Sequence, residues 1–307
     1  MQKSAEKDPT AHRQGVVISY FGNSVAVEEE DGQVFQCHLR RNQELPVVGD
    51  RVIWHLESAD TGVILQILSR RSLLSRGDGR GKMKPIAANV DAIVIVMAPA
   101  PIFSDYLVDR YLIAAELLNI KPIIVLNKAD LLNDSSRVAA LAQLTPYGDI
   151  NYPIILSSIY DKASLAALDA SLKDKTCVLV GPSGVGKSSI IAALSQADSI
   201  RIGDVSAKGA GKHTTTATRL YHLPQGGHLI DSPGVREFNL WPVTKQEILR
   251  GFKEFQPVLT GCKFRDCSHL VEPGCAVQAA VASGKISAQR FASYQALMKE
   301  AKNDYIK

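Results

Sequence analysis

No run of apolar residues in this 307-residue chain reaches the roughly 18 that a membrane-spanning helix needs. The opening "MQKSAEKDPTAHRQ" likewise lacks the apolar core of a secretory leader. These absences exclude the common routes to a membrane and point to a cytoplasmic protein without a membrane partner. Cysteine is scarce as well: five residues, an odd number, with three of them crowded into Cys262 to Cys275, which argues against a disulfide framework. A net charge of +4 is too small to establish a polyanionic partner by itself. No internal repeat is found. A chain of this length has room for two or three domains.

From Gly15 to about Leu74 short alternating segments dominate: "GVVISYF", "SVAVEEE", "QVFQCHL", "DRVIWHL" and "TGVILQIL", separated by turn sequences. Five strands at that spacing predict a small all-β barrel of the OB-fold type, a platform often used on RNA. Trp54, Tyr20 and Phe35 are either base-stacking residues or, as strand aromatics more often are, core. The next stretch, "RRSLLSRGDGRGKMK", carries six basic residues against Asp78 and reads as a basic linker or a phosphate contact.

Beyond it the pattern changes. "DAIVIVMA", "KPIIVLN", "YPIILSS", "TCVLVG" and "GHLIDS" are near-continuous apolar runs, as parallel strands buried on both faces require, and helix-like stretches lie between the first four. The alternation predicts an α/β, doubly wound domain over 88–237. The remainder, 238–307, reads as mainly helical apart from a Cys/His knot. The expected division is a polar N-terminus 1–14, a barrel 15–75, a basic linker 76–87, the α/β domain and the helical domain.

"GPSGVGKS", Gly181 to Ser188, follows a strand and opens a helix, the context that makes G-x-x-x-x-G-K-[ST] a phosphate loop. Gly181, Gly184 and Gly186 let the backbone of Pro182, Ser183 and Val185 wrap a triphosphate. Lys187 reaches the β- and γ-phosphates, Ser188 offers a hydroxyl to Mg²⁺, and Ser189 continues the helix N-terminus. The base is read elsewhere. "NKAD" places Asn127, Lys128 and Asp130 at the carboxyl end of a strand; Asp130, an acceptor only, suits the N1–H and N2 amino donors of guanine and not adenine. Ser157 and Ser158 end the following strand, where a supporting loop for guanine belongs.

"DSPG", Asp231 to Gly234, ends another apolar strand, so Asp231 can hold Mg²⁺ through water and the Gly234 N–H can sense a γ-phosphate. "KGAGKHTTT" is a glycine-rich switch candidate whose Thr214 and Thr215 offer hydroxyls, Thr215 being the candidate magnesium ligand. Missing is the glutamine that orients the attacking water in small GTPases: Val235 follows the motif. His213, beside the threonines, is the candidate replacement. The motif order is also displaced. NKAD precedes the phosphate loop, as though a GTPase ring had been cut between its DxxG and NKxD motifs. One expected consequence is a lever, because DxxG then leads through "VREFNLWP" directly into the C-terminal unit.

Cys262, Cys267, His269 and Cys275 form C-x₄-C-x-H-x₅-C, a donor set suited to a closed, tetrahedral structural Zn²⁺. Asp266 and His222 are weaker ligand candidates; Cys37 and Cys177 lie in predicted strands as core.

"VVGDRV", "KPIAANVDAIVIV", "NKAD", "GPSGVGKSS", "GKHTTT", "DSPGVREF" and "CKFRDCSHLVEPGCAV", in that order over nearly the whole chain, resemble the family of ribosome small-subunit-dependent GTPase A, circularly permuted GTPases of bacterial ribosome assembly. The resemblance implies an OB-fold barrel and a C-terminal zinc domain that grip the 30S subunit and its 16S rRNA, and GTP hydrolysis to GDP stimulated by that particle. It also puts the catalytic histidine at His213 and the zinc ligands on the four residues above. A monomer is expected. Ser232 departs from the threonine commoner in the family's DTPG, and Gly184 from the asparagine of potassium-activated relatives. Two rival readings remain: an ATP-dependent kinase, which has no need of Asp130, and a GTP-sensing RNA-binding module with little hydrolysis of its own.

Overall fold

The computed structural model describes residues 11–21, 24–40, 43–77, 83–99, 103–195, 218–232 and 243–301. The first five strands are β1 (Arg13–Phe21), β2 (Ser24–Glu28), β3 (Val34–Leu39), β4 (Arg51–Leu56) and β5 (Thr61–Ile67). They pair in the order β1-β2-β3-β5-β4, and β4 returns to β1, so the sheet closes on itself with OB-fold connectivity. Alternation explains the interior: Val17, Val25, Val27, Cys37, Val52, Trp54 and Ile64 all point inward. Phe35 and Trp54 pack against each other there, ring centroids 4.7 Å apart and planes tilted by 42°. Of the two readings, core is the one observed for Trp54 and Phe35, and Tyr20 packs partly buried against the same cluster.

The basic stretch is not an unstructured linker. β6 (Leu73–Gly77) and β7 (Met83–Ala88) pair antiparallel as a separate two-stranded sheet. Arg70 bridges Asp50 and Glu44, and Arg71 bonds Asp91 and the Asn89 side chain. Both arginines therefore hold the barrel's exit in place.

Residues 92–231 build the α/β sheet from β8 (Ala92–Met97), β9 (Lys121–Leu126), β10 (Ile154–Leu156), β11 (Thr176–Val180), β12 (Arg219–His222) and β13 (His228–Asp231). The order is β10-β9-β8-β11-β13-β12, parallel except for β12. Strand β8 shows why these runs are apolar throughout: Ile93, Ile95 and Met97 enter one core and Ala92, Val94 and Val96 the other. Around the sheet lie α1 (Asp105–Leu117), α2 (Asp134–Gly148), α3 (Lys162–Leu172) and α4 (Lys187–Leu194). Asn133 and Asp161 cap α2 and α3 through their side chains.

The C-terminal part comprises α5 (Lys245–Gly251), a 3₁₀ segment Lys253–Gly261, α6 (Ala276–Ala282) and α7 (Ala288–Glu300). Thr244 and Glu247 close α5 with a reciprocal capping box. The stripe Phe291, Tyr294 and Met298 packs inward onto the same core as α1, with Tyr294 fully buried. Helix α5 meets α1 closely: a Cβ on Gly251 would fall 2.6 Å from the Ile113 side chain.

Candidate nucleotide and metal sites

The phosphate loop runs from the end of β11 into α4, and its glycines are forced by geometry. Gly181 has φ 139° and lies so close to β8 that a Cβ would sit 2.2 Å from the Val96 carbonyl oxygen. Gly186 has φ 98°, and a Cβ there would reach within 2.4 Å of Asn127 Nδ2. Val185 is buried under the loop as its apolar anchor, while Ser183, Gly184, Ser188 and Ser189 are exposed. Lys187, only 5% exposed, donates to the Gly181 and Pro182 carbonyls at 2.6 Å each. A buried ammonium is costly unless solvated by such dipoles, and an incoming phosphate would be the stronger partner.

The NKAD residues stand at the end of β9, with β8 between it and β11, and reach across to this loop. Asn127 Nδ2 donates to the Val185 carbonyl at 2.9 Å, and Lys128 Nζ to the Gly184 carbonyl at 2.6 Å. Lys128 has φ 58°, which turns the chain so that Asp130 faces the end of β10. There the Ser158 hydroxyl donates to the Asp130 carboxylate at 2.5 Å and accepts from Tyr160 N–H at 3.1 Å, while Ala129 N–H bonds the Ser157 carbonyl at 3.0 Å. Two buried polar atoms in these loops, Asn127 Oδ1 and Ser157 Oγ, have no partner among the described residues. Buried groups of this kind call for a polar partner.

Asp231, 7% exposed, ends β13 beside the phosphate loop, and Ser232 accepts from the Thr218 hydroxyl at 3.0 Å. Four sequence-derived loops thus gather at the carboxyl ends of β9, β10, β11 and β13, where open parallel sheets bind ligands. Gly234, His213, Thr214 and Thr215 lie outside the described residues, as does the segment "VREFNLWP".

Family and structural comparisons agree with this arrangement. The RsgA GTPase family model matches residues 67–241. The small ribosomal subunit biogenesis GTPase RsgA of Pseudomonas aeruginosa (strain LESB58) is 48% identical over 285 residues, covering 92% of this chain and 84% of the relative. This chain belongs to the RsgA GTPase family. Among solved structures, YjeQ from Thermotoga maritima superposes with a TM-score of 0.78 at 31% identity, covering 94% of this chain and 98% of the other. YloQ, described as a circularly permuted GTPase, gives 0.74 at 30% identity and 97% of both chains. In the RsgA-type fold of this chain the sheet is intact although its chain order is rotated: β9 with NKAD precedes β11 with the phosphate loop, yet only β8 lies between them.

The Cys/His cluster is formed as well. The ligand atoms of Cys262, Cys267, His269 and Cys275 all lie within 4.8 Å of one another. His269 Nδ1 is 3.5 Å from both Cys262 Sγ and Cys275 Sγ. A tetrahedral centre with metal–sulfur and metal–nitrogen bonds of about 2.3 and 2.05 Å separates such atoms by about 3.6 Å, so the donor set and spacing fit zinc. His269 takes φ 63° to aim its ring inward, and Ala276 N–H points to Cys262 Sγ at 3.4 Å. Glu272 braces the loop: its carboxylate accepts from Ser268 N–H and hydroxyl and from the Leu270 and Val271 N–H groups. Desolvation would raise that carboxyl, but these hydrogen bonds overrule it and hold it down to about 2. Asp266 and His222 are not part of the cluster. Cys37 and Cys177 are wholly buried in the barrel and sheet, where burial pushes both thiols up to about 12.

Sequence reasoning missed two features. Asn127 and Lys128 are tied through their side chains to the loop at Gly184 and Val185, which no motif spacing announces. The Ser158–Asp130 bond was hidden because "SSIYD" lacks the usual lysine; the only available signal was a second hydroxyl at a strand end.

Proposed function

We propose that this protein hydrolyses GTP to GDP and phosphate in the biogenesis of the small ribosomal subunit, binding the 30S particle and its 16S rRNA with GTP and leaving after hydrolysis. The observation that carries the reading is the joined pair of loops: Asn127 and Lys128 bonded to Val185 and Gly184, with Asn127 Oδ1 and Ser157 Oγ left open beside them. It supports a guanine seated between Asn127, Lys128 and Asp130, backed by Ser157 and Ser158. The triphosphate then lies along Gly181, Pro182, Ser183, Gly184, Val185 and Gly186 against Lys187, Ser188 and Ser189. Mg²⁺, when bound, offsets charge on the β- and γ-phosphates; Ser188 and Thr215 are the residues to ligate it, with Asp231 behind. Thr214 and the Gly234 N–H complete the γ-phosphate side. With Val235 unable to hydrogen-bond through its side chain, His213 takes the role of orienting the attacking water and accepting its proton.

The barrel over 15–75 is read as the RNA-binding unit, 88–237 as the GTPase unit and 238–307 as a unit held by one structural Zn²⁺ on Cys262, Cys267, His269 and Cys275. The basic linker over 76–87 is read as a phosphate contact carried by Arg76, Arg80, Lys82 and Lys84, of which Arg76 and Lys84 are cross-strand partners of β6 and β7. No helix among the described residues is long and apolar enough to cross a membrane, and the reading is of a cytoplasmic monomer.

Phosphate release from GTP, measured with and without 30S subunits, tests the proposal. Stimulation by the particle is expected, and His213→Ala keeps GTP affinity while losing most turnover. Absence of release with 30S present would instead favour a GTP-sensing RNA-binding module, the reading that Val235 recommends.

A further inference from the structure

Asp231 is held from the barrel side as well as from within its own sheet. It pairs in register with Arg219 of β12, and Arg219 pairs on its other edge with Ser19 of barrel strand β1. Positions 19, 219 and 231 therefore form one lateral row across three strands. The register of β1 against β2 shifts between Val17 and Ser19, and such a bulge re-aims the side chain beside it. Ser19 is wholly buried, and its hydroxyl donates to the Thr218 carbonyl at 3.4 Å. The Thr218 hydroxyl in turn donates to Ser232, itself 3% exposed and next in chain to Asp231. The joint is reinforced by the Glu28–His222 pair at 2.7 Å and by Ile18 and Ala26 of the barrel, which share an apolar core with Leu220 and Ile230.

We propose that Ser19 and Thr218 are positioning residues for Asp231. The barrel, through these two hydroxyls and the lateral row, fixes the backbone at 231–232 so that the Asp231 carboxylate is presented to the magnesium of bound GTP. The inference rests on the reading of Asp231 as the magnesium-side carboxylate. Asn127 and Asp130, on the far side of β8 and β11, lie outside this linkage, so guanine recognition is insulated from it.

The test is equilibrium binding of fluorescent GDP and of a non-hydrolysable GTP analogue to the full chain, titrated with Mg²⁺. Thr218→Val raises the Mg²⁺ midpoint for analogue binding about three- to tenfold, the worth of one ordinary hydrogen bond, while GDP affinity without metal stays within about twofold. Thr218→Ser restores the midpoint. Ser19→Ala gives a smaller shift that disappears in the Thr218→Val background, because Ser19 acts through Thr218. A wild-type midpoint in Thr218→Val, or an equal loss of metal-free GDP affinity, overturns the positioning role. Asp231→Ala separates the two layers: if it leaves the midpoint unmoved, the reading of Asp231 fails and the inference falls with it; if it moves the midpoint and Thr218→Val does not, only the positioning role falls.

Discussion

Replacing Arg290 with alanine should destabilise the protein more than any other single change in the C-terminal helices. The guanidinium is 1% exposed and bonds two carboxylates, Asp109 of α1 (0% exposed) and Glu254 (6%), the latter through Nε at 2.7 Å and a second nitrogen at 3.1 Å. Its face also lies 4.4 Å from the Phe252 ring centroid. Removing it strands two buried carboxylates, and breaking a buried pair in this way costs about 3–5 kcal/mol. For a chain of this size that lowers the thermal midpoint by roughly 5–15 °C, which circular dichroism melts read directly. The deficit also depends on pH. Burial raises Asp109 to about 6 although Arg290 opposes the shift, and without Arg290 it rises further. A carboxyl raised above its unfolded value favours folding at low pH and loses that contribution as pH climbs through its folded pKa. The variant's deficit is therefore smaller at pH 5 than at pH 8. Replacing Arg290, Asp109 and Glu254 together by Met, Leu and Leu should recover most of the loss. A deficit below about 1 kcal/mol at pH 8, or no recovery in the triple variant, would refute the account of this cluster.

Gly186→Ala combines a disfavoured φ with a Cβ 2.4 Å from Asn127 Nδ2; GDP affinity by fluorescence titration should fall at least about tenfold while the fold, monitored by circular dichroism, persists. Asp130→Asn exchanges an acceptor for a donor where guanine presents donors, so GTP affinity drops by about 100-fold or more and affinity for a xanthine nucleotide, which offers a carbonyl there, rises. Cys267→Ser leaves three good ligands at the cluster; elemental analysis should find zinc well below the one equivalent expected of the wild type, and early loss of helical signal on heating should follow. One equivalent retained in that variant would contradict the ligand assignment.

The barrel and the α/β sheet were legible because their periodicities differ: alternating strands such as "DRVIWHL" predict one wet face, while "DAIVIVMA" is apolar on both. Spacing also announced the phosphate loop, NKAD and the cysteines, since backbone wrapping, base reading and metal ligation each demand fixed residue types close in sequence. Contacts between distant positions stayed hidden. Arg70 and Arg71 looked like free linker charge, yet Asp50 and Glu44 pair with the first guanidinium and Asp91 with the second. Arg290 sits in an otherwise ordinary amphipathic helix, and its partner Asp109 is 181 residues away. Nothing in a linear pattern distinguishes an arginine at the surface from one at an interface. The pairing of β12 with β1 was invisible for the same reason: its single register pair joins residues 19 and 219.

These long-range contacts bear on the lever expected from the rotated chain order. The segment leading from DxxG to the C-terminal unit lies outside the described residues, but that unit's far side is firmly docked on α1. Arg290 to Asp109, Gln289 to the Gln143 carbonyl, Tyr106 to Glu300 and the tight Gly251–Ile113 approach all join it to the GTPase helices. An independent swing would separate Arg290 from Asp109 and uncover the apolar core that Ile248, Phe252, Tyr294 and Leu297 share with Leu112 and Ile113 of α1, at about 1.5–3 kcal/mol for each large side chain exposed. Coupling free energies between sites are typically about 1–3 kcal/mol. The nucleotide signal is thus too small to detach the C-terminal helices, and a displacement of that unit must carry α1 with it. Strand β1 of the barrel meets β12 of the sheet through one register pair, the 3.4 Å Ser19 hydrogen bond, the partly buried Glu28–His222 pair and the apolar contact of Ile18 and Ala26 with Leu220 and Ile230. By reciprocity, a barrel that positions Asp231 is repositioned when the γ-phosphate beside Asp231 is lost. Hydrogen exchange in β1 and β12 should therefore respond to GDP versus a GTP analogue, while α7 stays equally protected in both; a change confined to α7 would restore the lever.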